Sequence, residues 1–564
     1  MPYYHRVIHW IRVRKTSVGF FGILIIAFAF FSALKHEPIF MDGDPFYHAK
    51  ITQLMLEHKD IVRDLPWLPI SVFRDGYVDH HFLFHVFLLP FNMLIGDPLV
   101  AIRVATSFFS ALFLAVVYLF FKKLLPYAAF FPFFLILFSS SLLFRLSLDK
   151  APAISLIVLF FGLYALITRK KITLFCISFV YVWLYDAWPL LLVASMLFCI
   201  ADACATLFTR EQEFSLRTFP LKKMFSLCVR KENRTIFLSC TTGILAGIII
   251  NPYFPQNVFF YNTHLLSIAL VTSGIFYGIG NEWLPKDPVS LASDNIPLVL
   301  FWICTLCWVS LQISARMRPH FLQEHMKTPS SLSVQSLFFL FFSLVLFFAT
   351  IKSQRMAEYF IPIASACVAC VLQDMFKRGP WRELLASIRD FLKNSSLRIQ
   401  HVFCCIAGLV VCAIVLRWTI SLSSNLWNAV NGDNFSFYSM GRAGAFISKN
   451  IPKDSLIIND NWSHFPQLMY YADAHRFAWG LDPTFTHDAD LDFFSTVSSL
   501  AQEKNKNKLA SILKDTLHAQ YLLIAKESPV QEKKLALLAK KDTGLKKIYE
   551  DDEVLIYQTR ETAL

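Results

Sequence analysis

The chain has 564 residues, 55% of them hydrophobic and 17% charged, with 57 phenylalanines and a mean hydropathy of +0.48. Soluble globular domains run nearer one quarter charged, so the composition excludes an ordinary soluble fold and indicates a multi-spanning membrane protein. The net charge of +12 sits in short Lys/Arg blocks between apolar runs, which argues against a nucleic-acid partner and marks cytoplasmic loops under the positive-inside rule.

In chain order, a basic stretch (Arg6, Arg12, Arg14, Lys15) precedes an apolar run at 18–34. Ala27 and Ala29 offer a signal-peptide cut, but the run is about as long as a span and further spans follow, so an uncleaved anchor is expected. Apolar runs near 101–121, 127–144, 152–168, 172–187, 189–207, 236–252, 296–314, 332–350, 356–374 and 401–421 bring the expected count to eleven. With the N-terminus cytoplasmic, an odd count puts the C-terminus outside. The loops then assigned to the cytoplasm are all basic: Lys122/Lys123, Arg169–Lys171, 209–235, Arg316 to Lys327 and Lys377 to Arg398. The apolar segment 82–96 is short and is read as interfacial or re-entrant, within a long first outer loop at 36–100.

From about 422 the chain turns polar, with strand-like runs ("SLIIND", "YLLIAK", "EVLIYQ") between helical patterns. The expected architecture is therefore mainly α: a polytopic membrane helix bundle over 1–421, followed by an extracytoplasmic α/β domain over 422–564. None of the twelve cysteines lies in 422–564, so no disulfide framework is expected there.

The outer side of this topology collects chemistry. Asp42, Asp44 and His48 follow the first span. Asp79, His80, His81 and His85 share the same loop, Asp149 and Asp186 follow later spans, Glu282 precedes 296, and Arg355 opens a span. Ionisable groups beside the bilayer are costly and mark sites or pathways. Asp44 before Pro45 reads locally as a helix N-cap, with an amphipathic helix running to about Lys59. Asp44, Asp149 and Glu282 could together ligate a hard cation such as Mg²⁺ or Mn²⁺; the bland alternative for Asp149 is an ion pair with Lys150 or Arg145. His81 and His85 share a helix face but lack the HExxH base, so a structural or substrate-contacting role is expected rather than zinc. The Arg355 guanidinium suits a lipid-linked phosphate, against an ion pair with Glu358 as the alternative.

These motifs resemble the catalytic subunit of oligosaccharyltransferase and, more broadly, the GT-C membrane glycosyltransferases. "DPFYH" (Asp44 to His48) is similar to that family's first-outer-loop Asp motif, and "FRLSLDKAP" to its Arg-then-acid loop with a shorter spacing. "YGIGNEWLP" places Glu282 where the family has a loop glutamate, and "RMAEYFIP" gives Arg355, Tyr359 and Pro362 in the register of its R-x-x-x-Y-x-x-P pattern. The family's WWDYG has only a partial counterpart here: Trp462 stands in "NDNWSHFPQ" with no Asp-Tyr-Gly after it. The span count is also lower than is usual in that subunit.

The resemblance implies a plasma- or inner-membrane enzyme that moves a sugar or oligosaccharide from a polyprenyl-phosphate-type carrier to a protein, lipid or polysaccharide on the outer face, assisted by a divalent cation. It casts Asp44, Asp149 and Glu282 as catalytic and metal-binding. Arg355, Tyr359 and His48 would hold the donor phosphate, and Trp462, His464 and Asp482 would line the acceptor side. Asp42, Asp79, His80 and His81 are further candidates. The rival readings are a single-sugar transferase acting on a lipid or polysaccharide, and a transporter or flippase.

Overall fold

The computed structural model describes residues 2–560 except 75, 126–128, 211–220, 263–280, 318–331, 379–423, 425, 433–434, 503–507 and 527–532. The chain is a mostly helical, multi-pass membrane protein with a small sheet near its C-terminus.

Each apolar run from 18–34 to 356–374 coincides with helix. Among the described residues six helices are long and apolar enough to cross a membrane: Thr16–Leu34, Pro98–Leu124, Pro189–Thr209, Ile296–Ser314, Val334–Lys352 and Gln354–Met375. The pair Phe130–Leu137 and Ser140–Ser147 makes a seventh if its 72° bend is counted within one span. The expected eleven is thus not reached among the described residues. The runs at 152–168 and 172–187 form the shorter helices Pro152–Ile167 and Lys171–Leu184, and that at 236–252 falls in Lys231–Ile249, which opens with charged residues. The run at 401–421 lies outside the described residues, as does the expected domain boundary. Phe82–Ile95 is a 14-residue helix containing Pro90; at about 1.5 Å per residue it is too short to cross a core of about 30 Å unaided.

Lys231–Ile249 packs closely along Lys171–Leu184 because Gly243 and Gly247 carry no side chain: a Cβ at either would collide with the carbonyl of Phe175 or Phe179. Between these helices' basic ends, Asp202 gathers Arg169 (2.7 Å), Arg230 and Asn233 (2.9 Å), tying the short basic loops together.

Near the C-terminus β3 (Leu456–Asn459), β4 (Arg476–Phe477), β5 (Tyr521–Ala525), β6 (Leu545–Glu550) and β7 (Val554–Thr559) form one sheet in the order β4-β3-β5-β7-β6. The β3 strand is parallel to both neighbours, and β7 is antiparallel to β5 and β6. The loop at 36–100 is sewn to this region. Its β1 (Ile39–Phe40) pairs antiparallel with β2 (Phe435–Ser436), Phe40 stacks on Phe437 at 4.4 Å, and Lys50 reaches Asp473 at 2.8 Å. A cavity of about 910 Å³ opens where the loop, the helix ends and the sheet region meet.

Candidate active site

The acids after the first span owe their position to Asp42-Gly43-Asp44. Gly43 lies against the Ser463 carbonyl, where a Cβ would stand 2.9 Å from the oxygen, so only glycine lets the loop approach this closely. The Asp42 carboxylate accepts from the Asp44 amide at 3.1 Å. Helix Asp44–His58 has Gly43, not Asp44, at its N-cap and no side-chain cap bond. The capping role expected for Asp44 is therefore corrected; its carboxylate is engaged elsewhere.

That engagement is with Lys150. Its Nζ stands 2.9 Å from Asp42, 2.7 Å from Asp44 and 2.6 Å from Glu282. The second oxygen of Glu282 faces Arg145 at 3.1 Å and Arg355 at 4.0 Å, and Arg145 also holds the buried Glu358 at 2.8 Å. Arg355 donates to the Tyr185 hydroxyl and lies over the rings of Tyr185 (5.3 Å) and Trp283 (4.9 Å). Backbone links fix the two loops to each other: Ser353 Oγ donates to the Glu282 carbonyl at 3.0 Å and the Gln354 amide to Leu284 at 2.9 Å. Burial opposes the Lys150 charge, yet the three acids hold its pKa well above the ordinary lysine value. Burial alone would push Glu282 up; Arg145, Lys150 and Arg355 together hold it well below the usual carboxylate range. Asp42 goes the other way: burial, with Asp44 and Glu282 beside it, raises it to about 7 despite Lys150.

Four expected site residues lie elsewhere: Asp149, Tyr359, His464 and Asp79, the last buried behind the cavity histidines against His85. Asp149 is buried against Lys35 (2.9 Å) and Thr106 (2.6 Å), away from the cavity. It is neither a ligand of the Asp44/Glu282 group nor a partner of Lys150 or Arg145, because adjacent residues in this turn project to opposite sides and it is Lys150 that faces the acids. Tyr359 is buried with its hydroxyl on Ser155 at 3.2 Å, and Tyr185 takes the place beside Arg355. His464 is partly buried next to the Phe435 ring and does not line the cavity; desolvation, with Lys533 nearby, lowers its pKa to about 4.

The divalent cation expected from the sequence does not fit this donor set. A small hard cation such as Mg²⁺ needs several oxygens at about 2.0–2.1 Å, whereas the three converging carboxylates already clasp an ammonium. Among the described residues no group of three or more His, Cys, Asp or Glu side chains is arranged to hold a metal ion.

His48, His80 and His81 line the cavity, as do Trp462 and Asp482. Asp79 accepts from His85 Nδ1 at 2.7 Å and from the His81 amide at 3.0 Å, and His85 Nε2 meets His48 Nδ1 at 2.8 Å. With both rings neutral, His85 donates to Asp79 and His48 to His85, which leaves His48 Nε2 as an acceptor. Burial, with His85 and Lys150 nearby, pushes His48 well below its usual pKa, so its ring is neutral. Asp482 caps helix Pro483–His487 by accepting from the Thr484 amide at 2.9 Å. Sequence reasoning did not place Lys150, Tyr185 and Trp283 among the site residues, though they line the cavity. The signal for Lys150 was its place directly after Asp149; for Trp283 it was its place next to Glu282.

No protein-family model matches the chain, and no curated protein matches it in sequence. Solved structures match its fold. The apo oligosaccharyltransferase of Archaeoglobus fulgidus aligns over 97% of this chain and 75% of its own, with 14% identity and a TM-score of 0.59. That oligosaccharyltransferase has also been solved with Zn and sulfate. The oligosaccharyltransferase AglB of Archaeoglobus fulgidus bound to an inhibitory peptide and a dolichol-phosphate aligns over 90% and 69%, with 12% identity and a TM-score of 0.58. The mycobacterial arabinofuranosyltransferase AftD covers 97% of this chain with 40% of its own, at 13% identity and a TM-score of 0.53. The likeness is one of fold, and the resemblance read from the motifs holds at that level.

Proposed function

We propose that the chain is a membrane glycosyltransferase that moves a sugar or oligosaccharide from a polyprenyl-phosphate-type carrier to an acceptor on the extracytoplasmic face, with the N-terminus cytoplasmic and the sheet region outside. The observation that carries this reading is the joining of Asp44, Glu282, Lys150, Arg145 and Arg355, from four separate segments, in one large cavity at the helix ends. Support comes from the fold shared with AglB and AftD.

In this reading Arg355 and Arg145 receive the donor phosphate and stabilise the charge it gains on leaving. The acceptor attacks the anomeric carbon, the bond from that carbon to the phosphate oxygen breaks with its electron pair going to phosphate, and the acceptor's proton passes to Asp44. Trp462 and Asp482 face the acceptor. A Mg²⁺ or Mn²⁺ ion would enter only by displacing Lys150 from the acids. The runner-up, a single-sugar transferase acting on a lipid or polysaccharide, is favoured by one observation: Trp462 lines the cavity without the Asp-Tyr-Gly that the oligosaccharyltransferase resemblance implies.

The test is to supply membranes containing the chain with a labelled polyprenyl-phosphate-linked sugar and to follow label into protein, lipid and polysaccharide fractions. Label entering none of them would sink the reading. In the same assay Arg355→Lys is expected to weaken donor use about tenfold, because an ammonium keeps the charge but loses the planar stacking on Tyr185 and Trp283, worth roughly 0.5–2 kcal/mol. A variant with unchanged donor dependence would take Arg355 out of the phosphate site.

Asp42 gives the pH dependence. Its folded pKa is raised to about 7, so it is neutral below that pH and adds a negative charge to the phosphate site above it. The kcat/KM for donor should therefore fall as pH rises through about 7, on the order of tenfold for about 1.4 kcal/mol of added repulsion. Asp42→Asn should flatten that limb; a limb that persists in Asp42→Asn belongs to another group.

A further inference from the structure

Lys150 has three N–H donors, and its carboxylate partners number three: Asp42 at 2.9 Å, Asp44 at 2.7 Å and Glu282 at 2.6 Å. With its donors so committed it is not poised to bind a substrate phosphate. It occupies instead the point on which oxygens from two loops some 240 residues apart converge. We propose that Lys150 is the resident cation of this site, its ammonium holding Asp42, Asp44 and Glu282 in position, and that the site works without a divalent metal.

The charges around it close the argument. Glu282 spends its second oxygen on Arg145 and Arg355, and Glu358 is taken by Arg145. Asp149, the residue that would have enlarged the acid set, is turned away to Lys35 and Thr106. An incoming divalent ion would have to expel a buried ammonium and leave it unpaired, a costly exchange. The positive charge that a metal would supply to a departing phosphate comes here from Arg355 and Arg145; that consequence rests on the transferase reading, whereas the metal-free site rests on geometry alone.

The decisive measurement is Mn²⁺ titration of the purified full-length chain in detergent, stripped with a chelator and followed by electron paramagnetic resonance. The wild type is expected to show no tight ion that Glu282→Gln removes, and Lys150→Met to gain a single ion that the added Glu282→Gln abolishes. A tight wild-type ion lost in Glu282→Gln overturns the proposal whether or not the lysine variants fold. Folded Lys150→Met that gains no ion overturns it too, by showing that the acids do not form a cation site. Chelator added to the labelled-donor assay should leave transfer unchanged, and transfer that stops with chelator and returns with Mn²⁺ overturns the proposal. Failure of wild-type transfer with no chelator present would instead sink the functional reading and leave the titration to decide on the metal.

Discussion

Asp44→Asn is expected to lower turnover by roughly 10²–10⁴-fold, the range for losing a positioned proton acceptor, while donor binding stays close to wild type. Asp44 is the most open of the three acids on Lys150, with 46% of its side chain exposed against 30% for Asp42 and 26% for Glu282. One of its oxygens is held by Lys150; among the described residues the other takes no hydrogen bond, and Trp462 and Ser463 line the same cavity. Asparagine keeps the shape and an oxygen for Lys150 but cannot take a proton. Arg355 and Arg145 are untouched, so the loss should fall on kcat rather than on the donor KM. Asp294 supplies the control: it also lines the cavity but pairs with Lys286 at 2.9 Å, and Asp294→Asn should leave turnover nearly intact. A drop of less than about tenfold in Asp44→Asn would remove it as the proton acceptor.

What was legible in the sequence follows the range of the interactions involved. Helix formation in apolar runs is local, and every described run became helix. Whether a helix spans is settled by its length and partners, and hydropathy could not tell the 14-residue Lys171–Leu184 from a full crossing. The hydrophobic strands β3, β5 and β7 were readable from "SLIIND", "YLLIAK" and "EVLIYQ". The two-residue β4 and the lysine-bearing edge strand β6 were not, because their pairing depends on neighbours distant in sequence.

The site divides the same way. Asp44, Glu282 and Arg355 announced themselves by charge beside the membrane, and the structure brings them together. Arg355 and Tyr359, four apart, would share a face of a continuous α-helix, but a 3₁₀ turn at Gln354–Met356 precedes the α-helix and sends them to different partners. In "LDKAP" the acid attracted attention and the lysine did the site's work. Sequence alone does not say which of two adjacent residues turns inward.

The inward one sets the largest expected change in stability. Asp149 joins three elements: Lys35 at the end of the first helix, Thr106 in Pro98–Leu124, and its own turn before Pro152–Ile167, all with side chains almost wholly buried. Removing one partner of such a pair leaves an uncompensated buried charge, which typically costs about 3–5 kcal/mol. Asp149→Ala should therefore lower the unfolding temperature of the purified protein sharply. Burial already lowers the Lys35 pKa in spite of the carboxylate. A lysine pKa depressed in the folded state costs stability as pH falls through it, so the loss in Asp149→Ala should ease as pH rises and Lys35 gives up its proton. Adding Lys35→Met removes the stranded charge and should restore most of the stability, since apolar replacement of a whole buried pair is often neutral or better. Because Asp149 does not line the cavity, the folded double variant should still transfer sugar. A double variant that is as stable as wild type but inactive would return Asp149 to the chemistry and end the division of labour between it and Lys150.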